Sequence, residues 1–296
     1  MKTWQKLIYT VLVFNFTIPD FVYSWWGAGH MITAQIAYNM LDDQAKKEVD
    51  RLIKTLAQYG PQMSDFAETS TWMDAIKRTG LNAFDIWHYR DAPYNADGLP
   101  EVAPAGEQNV VWAIKQATAT LKSPDAGDFE KALMLRFLIH FAGDIHQPLH
   151  CVSRYTKALP AGDRGGNDFK IKTDFKYQDN LHSFWDAAAN LYNNNIDTRL
   201  PGWKKLVESA AQDVMNKVPK NSLAWTADDP EVWAKESYGL AVSYVYQNIE
   251  EGGTPSEAYV TGAQKIILER LAMGGYRLGA LLQSIFGKHE EQTKKN

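Results

Sequence analysis

The chain has 296 residues, 45% of them hydrophobic, which suffices for one large domain or two small ones. A net charge of −4 excludes a general polyanion-binding surface, so a nucleic-acid partner would have to be drawn in by bound metal or a few placed cations. Cys151 is the only cysteine, which excludes an internal disulfide and leaves room for another stabiliser, such as bound metal.

Residues 1–24 read as a secretory signal. Lys2 and Lys6 flank the start, and the apolar stretch "LIYTVLVFNFTI" is too short to span a bilayer and is closed by Pro19 and Asp20. Val22 and Ser24 stand where signal peptidase requires small residues. Cleavage after Ser24 is therefore expected, giving a secreted or periplasmic chain that begins at Trp25 and has no stable membrane anchor. The single glycosylation sequon, at Asn15, lies in the segment removed. Loss of Lys2, Lys6 and Asp20 takes the net charge to −5.

From Trp25 on, the chain reads as helix after helix. "HMITAQIAYNML" has helical apolar spacing, and Asp42 caps "DQAKKEVDRLIKTL". "SDFAETSTWMDAIKR" is a third helix with Ser64 as its N-cap, followed by "EQNVVWAIKQATATL" and "DFEKALMLRFLIHFAGDI". "DNLHSFWDAAANLY", "WKKLVESAAQDVMNKV", "DPEVWAKESYGLAVSYVYQNI" and a long last helix from Ser256 complete the set, with Pro230 early in its helix, where a missing N–H costs little. "FKIKTDF", after the turn "GDRGGND", is the one strand candidate. The loops "RDAPYNADGLPEVAPAG" and "SRYTKALPAGDRGGND" are long and suited to binding. A mainly α chain with a single helical domain is expected, ending in a solvated tail over residues 289–296.

The chemistry concentrates in "RFLIHFAGDIHQPLH". His140 and Asp144 are four apart, on one face of one helix, and His182 and Asp186 repeat that spacing on another. Pro148 breaks the first helix and can turn His150 back toward the others. His30, Asp74 and His88 add further ligand types, and mixed His and Asp sets suit zinc with open coordination positions. The competing reading is a set of ordinary buried hydrogen bonds and surface pairs. His146, two residues past Asp144, faces elsewhere and reads as a core or supporting histidine.

The series "WWGAGH", "WMD", "WHYRD", "HFAGDIHQPLH", "GGND" and "NLHSFWD" resembles the S1/P1 nuclease family of zinc-dependent, single-strand-preferring nucleases, in order and rough spacing across nearly all of residues 25–288. The resemblance implies a helical fold of the phospholipase C/P1 nuclease type holding three zinc ions. By position, Asp74, His88, His140 and Asp144 would bind one; His150, His182 and Asp186 a second; and His30, Asp144 as a bridge and the amine and carbonyl of Trp25 the third. It also implies hydrolysis of single-stranded DNA and RNA to 5′-phosphate products by a zinc-bridging water, 3′-nucleotidase activity, and a monomeric enzyme. Asp74 and Asp144 would serve catalysis through the metals, with Lys77 neutralising transition-state charge. Asn167 would lie near the substrate phosphate, Tyr89 would stack on a base and Asp91 would read its edge. Arg164 departs from the small apolar residue of a fungal member, which leaves base preference open; an Arg there could stack on the base or contact a phosphate. Zinc-dependent phospholipase C is the nearest enzyme alternative, although its last ligand is typically Glu where Asp186 stands here. A non-catalytic helical metal-binding protein is the alternative from another class.

Overall fold

Most helices start where a short polar side chain can take the first free N–H groups. After α1 (Gly27–Asn39), Asp42 accepts from Ala45 N at 2.8 Å and opens α2 (Asp43–Thr55), as expected. Asp65, not Ser64, caps the next helix by accepting from Ala67 and Glu68 N–H groups. That helix also fails to run through to residue 78. α3 (Phe66–Thr69) stops where the Ser70 and Thr71 hydroxyls turn onto the Ala67 and Glu68 carbonyls, and the chain resumes as α4 (Trp72–Lys77).

α5 (Val110–Lys122) is capped by Asn109, and α6 (Asp128–Asp144) begins behind Gly127. Asn180 and Ser183 form a reciprocal cap on α7 (Leu181–Asp186). The expected continuation to residue 192 is broken there, because Ala188, Ala189 and Asn190 adopt left-handed φ values of 54°, 46° and 63°. After α8 (Trp203–Lys217), α9 (Pro230–Leu240) starts behind Asp229 with Pro230 at its first position, then widens into a π turn over Ala241–Val245 instead of continuing as one regular helix. Ser256 caps α10 (Glu257–Phe286). The computed structural model describes residues 25–60, 64–77, 79–192, 196–222 and 229–288, so the expected signal segment and tail lie outside the described residues.

The strand expected over residues 169–175 does not form; that segment makes only an isolated Lys170–Asn180 bridge. Instead the two long loops each give three residues to a parallel pair, β1 (Pro93–Asn95) and β2 (Ser153–Tyr155), with Pro93 opposite Ser153. This pairing, with Arg90 N–H on the His150 carbonyl at 2.7 Å, ties the chain after His88 to the chain after His150.

α6 is the axis. Every residue from Leu135 to Asp144 is buried, so this helix is enclosed on all sides. α5 and α2 pack on it directly, while α1 lies along α10 and also touches α6. Among the described residues no helix is long and apolar enough to cross a membrane. The contact between α1 and α10 depends on Gly275, where an added Cβ would lie 2.5 Å from Ile36 Cβ and 3.0 Å from the Thr33 carbonyl. Gly275→Ala should therefore overpack the seam at a cost of about 2 kcal/mol. Thermal denaturation should then show a Tm lower by roughly 4–8 °C; an unchanged Tm would mean that the two helices part freely.

Candidate metal centre

The fold delivers its ligands from six places: the first turn of α1 (His30), α4 (Asp74), the short turn Asp85–His88, the last two turns of α6 (His140, Asp144), the turn Pro148–Cys151 (His150) and α7 (His182, Asp186). Three groups result, each with its candidate ligand atoms within 4.8 Å of one another: His30, His140 and Asp144; Asp74, His88 and His140; and His150, His182 and Asp186.

Asp144 is the hub. Its Oδ2 lies 3.0 Å from His88 Nδ1 and 3.2 Å from His140 Nε2, while Oδ1 lies 3.3 Å from His30 Nε2. The carboxylate thus faces two groups with its two oxygens. Burial works against its charge, but His140, His30 and His88 together hold it well below the usual carboxylate range. Asp74 Oδ1 stands 3.8 Å from His140 Nε2 and 3.9 Å from His88 Nδ1. In the remaining group, Asp186 offers Oδ1 to His150 Nε2 at 3.7 Å and Oδ2 to His182 Nε2 at 3.2 Å.

The hydrogen bonds behind the rings decide what these contacts mean. His140 Nδ1 sits 2.6 Å from the Ser70 carbonyl, His150 Nδ1 2.9 Å from that of His88, and His182 Nδ1 2.7 Å from that of Gly165. A carbonyl can only accept, so each Nδ1 carries a proton and Nε2 is the atom turned to a carboxylate, where a neutral ring would offer its lone pair. Lone pair against lone pair is repulsive without a cation between them. His150 Nε2 and Asp186 Oδ2, which face their own group, are moreover buried without a hydrogen-bond partner. Tetrahedral zinc, with ligands at about 2.0–2.1 Å, sets neighbouring ligand atoms roughly 3.4 Å apart. The separations of 3.0–3.9 Å bracket that value, so these residues fit zinc.

Protonation follows the same logic. Burial drives His88 down to about 4 and lowers His30, the latter with help from the adjacent His140. For His150 burial also lowers the pKa, but the nearby carboxylates of Asp186 and Asp144 prevail and raise it to about 9. Without metal, a proton on His150 takes the cation's place.

Several expected residues gather around the groups. Lys77 Nζ is 3.6 Å from Asp74 Oδ1 and a third exposed, placing a cation at the outer edge. Tyr89 is half-buried beside His88, and Asp91 is raised to about 6 by burial and by Asp163, against the pull of His150 and His182. Trp25 is fully buried, with its indole N–H on the Gly143 carbonyl at 2.9 Å, and Trp26 N–H meets the Asp186 carbonyl at 2.8 Å. The residues after Ser24 are thus pinned between the ends of α6 and α7.

Others are engaged elsewhere. Arg164 is exposed, with a two-pronged bond to Asp168 at 2.6 and 2.8 Å, and Asn167 donates to the Arg164 carbonyl at 2.8 Å. These are turn-building contacts. The neighbouring Gly165 must be glycine, since its φ is +61° and a Cβ there would collide with the Leu149 carbonyl. His146 lies outside the three groups, as expected: it faces the Ala142 carbonyl at 2.7 Å and Arg277 at 3.0 Å. Sequence reasoning passed over Ser70, whose carbonyl sets His140, and Gln147, whose amide reaches Asp186 Oδ1 at 2.6 Å. Neither residue type announces such a role.

The chain is similar to known nucleases along most of its length. The chain is 30% identical over 283 residues to Endonuclease 2 of Arabidopsis thaliana, covering 90% of this chain and 92% of that protein. It is 26% identical over 291 residues to Nuclease S1 of Aspergillus oryzae, covering 90% and 94%. It is 25% identical over 281 residues to Nuclease P1 of Penicillium citrinum, covering 88% and 98%. The family model for S1/P1 nuclease matches residues 25–287, the whole stretch from the buried Trp25 to the end of α10, and the chain therefore belongs to the S1/P1 nuclease family.

Proposed function

We propose that this nuclease hydrolyses phosphodiester bonds of single-stranded DNA and RNA to 5′-phosphate products, removes phosphate from 3′-nucleotides, and works outside the cytoplasm as a monomer with three zinc ions. The observation that carries the reading is the shared Asp144 carboxylate, with one oxygen facing His88 and His140 and the other facing His30. Asp74, His88, His140 and Asp144 would hold one ion; His150, His182 and Asp186 a second; His30, Asp144 and the amine and carbonyl of Trp25 the third. Zinc when bound supplies a water of lowered pKa and a counter-charge for the phosphate.

The chain's own residues divide the remaining work. Lys77, at the outer edge beside Asp74, balances charge that develops on the phosphate. Tyr89 stacks on a base and Asp91 accepts from its edge. Asn167 meets the substrate phosphate, and Arg164 reaches substrate by exchanging Asp168 for it. A lipid substrate has less support, because the family and the relatives named above are nucleases.

The direct test measures zinc content and hydrolysis of single-stranded DNA beside phosphatidylcholine micelles, before and after chelation. About three zincs per chain, turnover of DNA alone and loss of it with the metal are expected; lipid turnover or chelator-resistant activity would overturn the reading. Asp144→Ala should remove more than one ion, because both its oxygens are used. Chelation should also lower Tm by a wide margin, since the metals would join helices that no disulfide joins. Reloading should strengthen as pH rises toward about 9, where metal no longer has to displace the proton on His150.

The N-terminus gives a sharper prediction. An α-amine has a lone pair for metal, whereas a peptide N–H has none. A protein processed after Ser24 should be active, and one carrying an extra Gly before Trp25 should lose most of its turnover while keeping its fold. Equal turnover of the two on single-stranded DNA would rule out the Trp25 amine as a ligand.

A further inference from the structure

The group formed by His150, His182 and Asp186 draws its ligands from two separate pieces of chain, a short turn after α6 and the helix α7. Nothing in that list explains why the two pieces stay in register. One fully buried side chain touches both. Gln147 Oε1 accepts the Leu149 N–H at 2.6 Å and so caps the turn that carries His150. Its Nε2 donates to Asp186 Oδ1, also at 2.6 Å.

The orientation of this amide is set by chemistry. A backbone N–H can only donate, so the atom facing Leu149 must be the oxygen, and the atom facing Asp186 must be the NH2 group. An ionised carboxylate can only accept, which fits. With Oδ1 taken by Gln147, the carboxylate plane is fixed, and Oδ2 is left without a hydrogen-bond partner, 3.2 Å from His182 Nε2.

We infer that Gln147 is a positioning residue for this group: it locks Asp186 in its ligating orientation and couples it to the turn that presents His150. Hydrogen bonds from outside the ligand set commonly change metal affinity by about 10–100-fold. The inference rests on the metal reading above and is confined to one of the three ions.

Two variants test it. Gln147→Met has similar bulk but removes both hydrogen bonds. Gln147→Asn keeps an oxygen able to cap Leu149, as Asn commonly does at such a position, on a stem too short to reach Asp186. Zinc content is measured by elemental analysis after dialysis against a graded chelator series, with the melting curve of the fully chelated chain as the check on the fold. In both variants one ion of three should be lost at about 10–100-fold lower chelator strength than in the wild type. The other two should stay at wild-type levels, and the chelated chain of Gln147→Asn should melt as the wild type does. Loss of all three ions in parallel would show a general loosening and overturn the inference. So would retention of all three as in the wild type, while leaving the metal reading intact. A wild-type chain that holds no third ion would overturn the metal reading, and the inference with it.

Discussion

The structure turns on one buried charge. Asp144 has no solvent exposure and is the last residue of α6, where the helix dipole presents its negative end. A carboxylate is doubly disfavoured there, by desolvation and by the dipole. Three imidazoles converge on it, His140 from its own helix and His30 and His88 from two other places in the fold, and His30 and His140 stack with centroids 4.0 Å apart. Neutral imidazoles relieve a buried anion only in part. The arrangement makes physical sense when positive charge enters between rings and carboxylate, which is why the same contacts serve both as a stability argument and as a site argument.

That charge is held in place by what closes the end of α6. The last carbonyls of a helix lack partners within it. Here Ala142 receives His146 Nδ1, Gly143 the Trp25 indole, Ile145 the Ser237 hydroxyl at 2.5 Å, and the His146 carbonyl Arg270 Nε at 3.2 Å. Arg270 and Arg277 are themselves buried and both meet Glu236, at 3.0 and 2.7 Å. A buried cation pair with a single acid is a costly construction if stability were its only product. Its position beside His146, with Arg270 on that residue's carbonyl and Arg277 on its ring, makes it a clamp on the segment that carries four of the singled-out histidines and acids.

The sequence made the helical character, most caps and the convergence of ligand types legible, because each leaves a local mark. Asp42 before an amphipathic run and His–Asp pairs four apart are patterns that a helix translates directly into geometry. What stayed hidden depended on partners far along the chain. The break at Ser70 follows from hydroxyls competing for carbonyls, and it matters because the Ser70 carbonyl meets His140, seventy residues on. The strand pair arises from two loops that lack any alternating pattern, and the apparent strand at residues 169–175 had such a pattern but pairs only through the isolated Lys170–Asn180 bridge. Arg164 and Asn167 also build their own turn, Arg164 through Asp168 and Asn167 through the Arg164 carbonyl, a task that no local pattern announces.

Exposure orders the site from rim to floor. Lys77 is 33% exposed and His182 13%, whereas Asp74, His150, His88, His140 and His30 are at 6% or less. Solvent therefore reaches these groups through Lys77 on α4 and His182 on α7. Tyr89 and Asp91 lie in the chain that follows His88, which the Arg90 N–H fastens to the His150 carbonyl. His30 and the Trp25 side chain are buried. The buried residues can act only by holding charge and backbone in position, whereas the partly exposed Lys77, Tyr89 and His182 are open to solvent.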